Sequence, residues 1–282
     1  MRARQLYARG IPVRRPRPDA ARSGAQPLEN AEIGWTCRDL LATGRRPLGK
    51  EGVSENSDFA ARRAALRARI DALEGAQGAS LSDRKLFFDA VYERAGGDAA
   101  NVPWADLKPK DRLDAWLADN PGQGRRAIDV ACGLGDNAEA LAAAGWKTTA
   151  FDLSARAIGW ALDRFPQSPV DYAIADLAAL PPPWAGAFDL VNECYTIQSV
   201  PGELRTLFSL AIASLVAPGG SLLIYARTRP DDAPTAGPPW PLSPREAGIF
   251  SEMGFRRIAA EHFEQVRPDR VIPHLFAVWQ RV

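Results

Sequence analysis

Cysteine and histidine are scarce in this chain, and their scarcity argues against several kinds of site. The chain has three cysteines and two histidines in 282 residues. Cys37, Cys132 and Cys194 are far apart and in no metal-like spacing, which favours a reducing, intracellular compartment over a disulfide framework. Two histidines argue against a histidine-based metal centre, so we expect no bound metal.

Long apolar runs and a strong net charge are also lacking. No apolar segment approaches the roughly 18 residues that a membrane span requires. The formal net charge is +1, so the composition suggests neither nucleic acid nor an anionic membrane as a partner. We therefore expect a cytoplasmic protein that is a monomer or a homodimer.

The sequence divides into three parts. Residues 1–52 are rich in arginine and have no apolar periodicity, which predicts a disordered basic arm. Such an arm could target the protein or bind a polyanion, and the alternative is a translation start assigned too early, with Val53 as the true first residue. Residues 53–120 are predicted to form N-terminal helices and a lid, and residues 121–282 to form the main domain.

The stretch Arg126–Ser154 has the order strand, glycine turn, helix, strand. A short apolar run predicts a first strand that is buried on both faces. Gly133 and Gly135 follow at once, where the chain must reverse and a ligand can approach the backbone. Asn137–Ala144 has the composition of a helix, and Asp152 closes the second strand. This is half of a nucleotide-binding α/β unit.

Helices and strands continue to alternate after this unit. The predicted helices are Ser154–Phe165, Glu203–Val216 and Arg245–Met253, and the predicted strands are Val170–Ala175, Phe188–Glu193, Ser221–Ala226, Phe255–Phe263 and Leu275–Arg281. The alternation predicts a doubly wound α/β fold with a mostly parallel, seven-stranded sheet, an antiparallel terminal strand and a helical N-terminal extension. Ligands bind beyond the carboxyl ends of such strands, so Gly133, Asp152, Asp176 and Glu193 should surround one crevice.

Two nucleotide cofactors fit the glycine turn. Gly133–Ala138 matches the dinucleotide fingerprint, so an NAD(P)-dependent oxidoreductase is one alternative. Asp129 in the first strand and Asp136 at the helix start argue against it, since a pyrophosphate needs bare N–H groups there. S-adenosylmethionine has no phosphate and carries two cationic groups, so nearby carboxylates favour it.

The same residues resemble the class I S-adenosylmethionine-dependent methyltransferases, which have a Rossmann-like fold. Ile128–Gly135 (IDVACGLG) is similar to the first motif of that family, and Phe151–Ser154 (FDLS) to its acidic site after strand 2. Ala175–Leu177 (ADL) is similar to the site after strand 3, and Leu215–Ile224 (LVAPGGSLLI) to the turn before strand 5. Asn137 replaces the third glycine of the commonest pattern. The resemblance covers roughly residues 85–282.

The resemblance implies a role for each residue around the crevice. Asp152 would bind both ribose hydroxyls, Asp176 would accept a hydrogen bond from the adenine amino group, and Asp129 would help to hold the ammonium. The alternative for these three aspartates is a structural cap or loop hydrogen bond. The implied cofactor-binding residues are Trp104, Asp129, Ala131, Gly133, Gly135, Asn137, Asp152, Leu153, Asp176, Leu177 and Glu193.

The acceptor side is predicted from the polar segment after the fourth strand and from aromatic residues before the first. Methyl transfer from a sulfonium is an in-line displacement, so the protein mainly aligns the acceptor and excludes water. A base is required only for an alcohol or an ammonium, and Glu193 and Tyr195 are the catalytic candidates. Core packing is the alternative for the aromatic residues and solvent exposure for Arg227. The predicted substrate-binding residues are Phe88, Tyr92, Trp104, Tyr195, Gln198 and Arg227.

We therefore expect an S-adenosylmethionine-dependent methyltransferase that acts on a small molecule, at a thiol or another heteroatom nucleophile. The thiol is suggested by a loose similarity of Gly237–Ser243 (GPPWPLS) and of the segment before the sheet to thiopurine S-methyltransferase-like enzymes. A cofactor-binding protein that has lost catalysis, or a partner subunit, is the alternative. The absence of a nucleic-acid-binding appendage argues against a nucleic-acid substrate.

Overall fold

A sheet of seven strands organises the part of the chain that the computed structural model describes, namely residues 70, 73, 78, 80–234, 237–267 and 270–282. The strands are β1 (Arg126–Val130), β2 (Lys147–Asp152), β3 (Asp171–Ile174), β4 (Phe188–Cys194), β5 (Val216–Arg227), β6 (Phe255–Arg267) and β7 (Arg270–Arg281). Their order across the sheet is β3-β2-β1-β4-β5-β7-β6. The pairs from β3 to β5 are parallel, and β7 is antiparallel to both of its neighbours. The predicted doubly wound sheet is confirmed.

Helices cover both faces of this sheet. They are α1 (Leu81–Ala95), α2 (Asp111–Asp119), α3 (Asp136–Ala143), α4 (Ala155–Arg164), α5 (Gly202–Leu215) and α6 (Pro244–Ala247). Ile212 and Leu215 of α5 pack with Ile128 and Val191 on one face. On the other face α2 and α3 pack against β1, β4 and β5, and α4 packs against β2 and β3. Apolar side chains therefore alternate between two cores, as strands buried on both faces require.

Two helix boundaries differ from the prediction because of local backbone chemistry. The cap of α1 is Ser80, whose Oγ accepts a hydrogen bond from the Asp83 N–H at 3.1 Å while the Asp83 carboxylate accepts from the Ser80 N–H. From the sequence alone, the Ser82-Asp83 pair predicts a cap two residues later. The helix predicted over 245–253 divides into α6 and a 3₁₀ helix, Ile249–Met253, with Gly248 between them. Glycine weakens a helix interior, which explains the break.

Strand β5 begins earlier than predicted. Val216 already pairs with Phe188, and the pairing resumes between Leu190 and Ser221, so the Pro-Gly-Gly segment forms an irregularity inside the strand. Gly219 has a φ of +75° there, which glycine adopts without steric cost. The predicted turn is therefore a bulge within β5.

Residues 1–52 lie outside the described residues, and so does most of the segment from 53 to 79. The predictions made for the basic arm and for the first helix of the extension stay untested. Among the described helices, none is both long and apolar enough to cross a membrane.

Candidate active site

The glycine turn after β1 has a backbone that only small residues adopt easily. Gly133 and Gly135 have φ values of +55° and +90°, and Gly135 forms the N-cap of α3. Ala131 has a φ of +51° although it carries a Cβ. Left-handed backbone at a non-glycine residue costs free energy and is common at functional sites. The turn therefore lies where the sequence predicted it, and its backbone is strained.

Gly135 has no space for a methyl group. A Cβ at this position would overlap Tyr172 Oη, and it would lie 3.2 Å from Tyr172 Cζ. We expect Gly135→Ala to lower the free energy of unfolding by about 2–4 kcal/mol, because left-handed strain adds to steric overlap. Urea unfolding followed by circular dichroism measures the loss. The loss should be smaller in a Tyr172→Phe background, which has no hydroxyl, and an equal loss in both backgrounds would contradict this account.

Asp152 ends β2 beside the turn, and each of its oxygens binds the backbone. Oδ2 accepts a hydrogen bond from the Gly133 N–H at 3.0 Å, and Oδ1 accepts from the Ser154 N–H at 2.9 Å. Burial raises the pKa of Asp152 to about 6, although these two N–H donors act to lower it. A carboxylate oxygen can accept a second hydrogen bond, so the loop bonds coexist with capacity for a diol.

Two further buried carboxylates stand at the ends of β1 and β4. Asp129 Oδ1 accepts from Asn192 Nδ2 at 2.7 Å, and Glu193 Oε1 accepts from the N–H groups of Thr196 and Ile197 at 2.7 and 3.0 Å. Among the described residues, Asp129 Oδ2 and Glu193 Oε2 have no hydrogen-bond partner. Burial raises the pKa of both carboxyls to about 7. Buried carboxylate oxygens in this state are suited to a cation or a strong donor.

An aromatic cap, formed by Phe87, Phe88, Tyr92 and Trp104, lies against the glycine turn. Trp104 Nε1–H donates to Tyr92 Oη at 2.9 Å. A Cβ at Gly133 would lie 3.2 Å from that Oη and 3.8 Å from Trp104 Nε1. The Phe88 and Trp104 ring centroids are 5.4 Å apart. Tyr92 and Trp104 thus lie over the turn with Phe88 packed on Trp104, while Phe87 is buried in a core cluster, which fits the core-packing alternative given for the aromatic residues.

The predicted adenine-side residues have structural partners of their own. Asp176 Oδ1 accepts from the Ala178 N–H at 2.8 Å and caps a 3₁₀ helix, Leu177–Ala179. The Leu177 side chain is buried in the core cluster of the α5 face, and Leu153 is half-buried beside Asp152. Asp176 therefore does cap a helix, as the structural alternative proposed, and its contact with adenine stays a prediction.

Asn137 and Asp136, at the start of α3, are engaged by other segments. Asn137 Oδ1 accepts from the Lys110 N–H at 3.0 Å. Asp136 binds Arg164 through two hydrogen bonds, of 2.7 and 2.9 Å. Because Arg164 compensates the charge of Asp136, this aspartate would repel the pyrophosphate of a dinucleotide only weakly. Asp129 is therefore the main evidence against a dinucleotide.

Tyr195 follows β4 in a strained conformation and joins a buried polar cluster. Its φ is +66°, which is unusual for a bulky residue. Tyr195 Oη lies 2.9 Å from His274 Nε2, and His274 Nδ1 lies 2.8 Å from the Ile272 carbonyl oxygen. The Lys110 ammonium lies 4.7 Å from the Tyr195 ring centroid. The cluster brings phenol, imidazole and ammonium together at the carboxyl end of the sheet.

Lys110 and His274 were not predicted from the sequence. Lys110 is buried and forms an ion pair with Asp106. His274 is 1% exposed and pairs with Arg227 across β5 and β7. The sequence offers one signal for His274: it directly precedes the predicted terminal strand, Leu275–Arg281, which runs antiparallel to β5.

The two other predicted acceptor residues connect loops. Gln198 Oε1 accepts from the Arg227 N–H at 2.6 Å, and the Gln198 carbonyl accepts from the Trp240 N–H at 2.8 Å. Gln198 therefore ties the segment after β4 to the end of β5 and to the Pro-rich loop. The Arg227 guanidinium lies 5.9 Å from the Tyr195 ring centroid, so it borders the same cluster.

Part of the chain matches a known family. Residues 127–220 match the model of the methyltransferase domain. The ubiquinone biosynthesis O-methyltransferase of Aromatoleum aromaticum is 39% identical over 130 residues, which are 45% of this chain and 54% of that protein. The chain therefore spans about half the length of the curated relatives it matches.

Solved structures share the fold. A structure described by the conversion of a disulfide bond into a thioacetal group during echinomycin biosynthesis has a TM-score of 0.57 and 22% identity, covering 69% of this chain and 91% of that one. The Burkholderia thailandensis 1,6-didemethyltoxoflavin-N1-methyltransferase, with 1,6-didemethyltoxoflavin and S-adenosylhomocysteine bound, has a TM-score of 0.55 and 16% identity, covering 70% and 87%. Residues 127–220 therefore match a methyltransferase domain, and the described part of the chain has the Rossmann-like fold of S-adenosylmethionine-dependent methyltransferases.

Proposed function

We propose that the protein transfers a methyl group from S-adenosylmethionine to a heteroatom of a small molecule. The observation that carries this proposal is the pair of buried carboxylate oxygens, Asp129 Oδ2 and Glu193 Oε2, that lack a partner in the described part of the chain. A buried anion is stable only when paired, and the methionine end of the donor carries an ammonium and a sulfonium. A nicotinamide coenzyme would instead meet these oxygens with its own negative phosphates.

The crevice residues divide between the parts of the donor. Asp152 would take the ribose hydroxyls on its remaining lone pairs, and Asp129 and Glu193 would hold the cationic end. Glu193 is also the predicted catalytic base, but its complete burial suits cation binding better. The aromatic cap would exclude water from the reacting atoms. S-adenosylmethionine supplies the electrophilic methyl group when bound.

For the acceptor we favour a hydroxyl over the thiol suggested by the sequence. The curated relatives are named O-methyltransferases, and this chain matches about half of their length. The cationic side chains of Lys110, which is paired with Asp106, and of Arg227 border the Tyr195 ring and would lower the pKa of a hydroxyl bound there, which favours loss of its proton. We also propose that the enzyme is cytoplasmic, because Cys132 and Cys194 are free thiols and a reducing compartment preserves them. That it is a monomer or a homodimer stays a prediction.

Calorimetry and turnover together test this proposal. We expect S-adenosylhomocysteine to bind and NADH to give no heat of binding, since only the former brings a cation to the carboxylates. With labelled S-adenosylmethionine, the wild-type protein should methylate members of a panel of phenols, alcohols, thiols, amines and carboxylates. Binding of NADH alone would contradict the cofactor assignment, and binding of S-adenosylhomocysteine without turnover would contradict the catalytic assignment.

A further inference from the structure

We propose that His274 is a positioning residue that takes the hydrogen bond of the Tyr195 hydroxyl, so that Tyr195 Oη offers a lone pair to the hydroxyl of the methyl acceptor. The inference rests on the methyl-transfer function proposed above and names its acceptor class: a molecule that donates a hydrogen bond from the group to be methylated. His274 has no place in the sequence prediction, and its role follows from the geometry of β7.

The partners of His274 fix its tautomer. Nδ1 lies 2.8 Å from the Ile272 carbonyl oxygen, which can only accept, so Nδ1 carries the proton. Nε2 then presents a lone pair, and Tyr195 Oη, 2.9 Å away, is the donor of that bond. Burial lowers the pKa of His274 to about 4, and the charges of Arg227, Lys110 and Arg267 lower it further, against the Ile272 carbonyl, which raises it. The imidazole is therefore neutral near pH 7 and keeps its lone pair.

The ring of His274 is held from both sides. It stacks on Phe263 of β6 with centroids 5.3 Å apart and an interplanar angle of 27°. It also contacts Tyr225 of β5, with centroids 5.9 Å apart. Such packing leaves the imidazole one orientation, which explains how a strained residue can be kept in place beside it.

Tyr195, at the other end of this hydrogen bond, is also held by its neighbours. Its N–H donates to the Tyr225 carbonyl at 3.0 Å, and its ring packs on the Tyr225 ring with centroids 5.4 Å apart. It comes immediately after β4 and two residues after the buried Glu193, at the ligand-binding edge of the sheet. The strained backbone of Tyr195 thus lies beside the crevice, and it sets the direction of the Tyr195 side chain.

Such a site would select acceptors whose group to be methylated carries a proton that it can donate in a hydrogen bond. The Tyr195 hydroxyl has one proton, which it donates to His274, and two lone pairs. A phenol or an alcohol could donate to one of these lone pairs and turn its own lone pair toward the methyl group. As the new O–CH3 bond forms and the S–CH3 bond breaks, the acceptor proton would pass to Tyr195 Oη while the Tyr195 proton passes to His274 Nε2, from which it returns to water. A carboxylate has no proton to donate, and a site built around a hydrogen bond rejects a ligand that cannot make it.

Kinetics of matched variants test this role. His274→Phe keeps an aromatic ring but removes the acceptor nitrogen, and we expect kcat with a hydroxyl acceptor to fall about 10- to 100-fold. His274→Gln, which can still accept, should recover most of that loss. Tyr195→Phe should cost as much as His274→Phe, and the double variant no more than either. S-adenosylhomocysteine affinity should stay the same in all of them.

A spectroscopic readout separates this inference from the proposed function. The chain has two histidines, so ¹⁵N-labelled histidine gives two sets of ring signals. His262 lies on the exposed part of β6, and His262→Phe identifies the signals of His262 and serves as the control substitution. We expect His274 to show protonated Nδ1 and bare Nε2 at pH 7, with an Nε2 shift that changes in Tyr195→Phe. A protonated Nε2, or an Nε2 shift that ignores Tyr195, would overturn the inference even if the enzyme is active. Additive losses in the two single variants would overturn it as well, whereas absence of turnover in the wild type would count only against the proposed function.

Discussion

Replacing Asp152 with alanine is expected to weaken S-adenosylhomocysteine binding by about 2–4 kcal/mol, or roughly 30- to 1,000-fold. The carboxylate is buried at the end of β2, and each oxygen keeps acceptor capacity beyond its bond to the Gly133 or Ser154 N–H. Two charge-assisted hydrogen bonds to a ribose would be lost together. Isothermal titration calorimetry at pH 7.5 measures the change, and Asp119→Ala, on the exposed last turn of α2, is the matched control.

The same substitution disturbs the glycine turn, so a weaker affinity alone does not identify the contact. A 2′-deoxy analogue of S-adenosylhomocysteine resolves this difficulty, because it lacks one of the hydroxyls assigned to Asp152. The wild-type protein should bind the analogue more weakly than the parent compound, and Asp152→Ala should bind both equally. If the variant discriminates between the two ligands as strongly as the wild type does, the ribose assignment is wrong.

The parts of the fold that could be predicted are those encoded by neighbouring residues. The apolar run of β1 and the glycines after it lie within ten residues of one another, and buried parallel strands produce such runs wherever they occur. The acidic residues at the ends of β2 and β4 then follow from the rule that parallel strands bring their carboxyl ends to one edge. For this reason Asp152 and Glu193 could be predicted to lie at this edge without any knowledge of tertiary contacts, whereas Asp129 was predicted from its place in the first motif of the family.

The parts that could not be predicted depend on contacts between distant segments. His274 meets Tyr195 only because β7 returns antiparallel to β5 with His274 opposite Arg227. Lys110 reaches the same cluster from the loop before α2, which has no periodic pattern. The charge of Asp136 was misjudged for the same reason, since its partner Arg164 lies on the next helix. These pairings cannot be predicted from the residues that neighbour each position in the sequence.

The stability of the cofactor-free protein is expected to fall as the pH rises from 5 to 8. The pKa values of Asp129 and Glu193 are raised to about 7 and that of Asp152 to about 6, mainly by burial. In the unfolded chain carboxyls titrate near pH 4, so between pH 4 and 7 the folded state holds protons that the unfolded state has released. Stability therefore decreases with pH in this window, at about 1.4 kcal/mol for each unit of pKa difference that is crossed.

His274 opposes this trend. The lowered pKa of His274, about 4, makes the unfolded state the better proton binder up to about pH 6.5, so it adds stability as the pH rises. Its contribution is smaller than that of three carboxyls, and the net loss from pH 5 to pH 8 should be on the order of 5 kcal/mol. Urea unfolding at four pH values gives this profile directly.

Asp129→Asn isolates the carboxyl contribution, because it leaves His274 and the other two acids in place. We expect this variant to lose less stability than the wild type between pH 5 and 8, by about 2–3 kcal/mol. Saturating S-adenosylhomocysteine should stabilise the wild type more at pH 7.5 than at pH 5.5, since its ammonium favours the ionised carboxylates, and the variant should show less of this pH dependence. Parallel stability profiles for the two proteins would mean that Asp129 is already ionised in the folded state at pH 5, and its burial beside the glycine turn would then not be the source of cation selectivity.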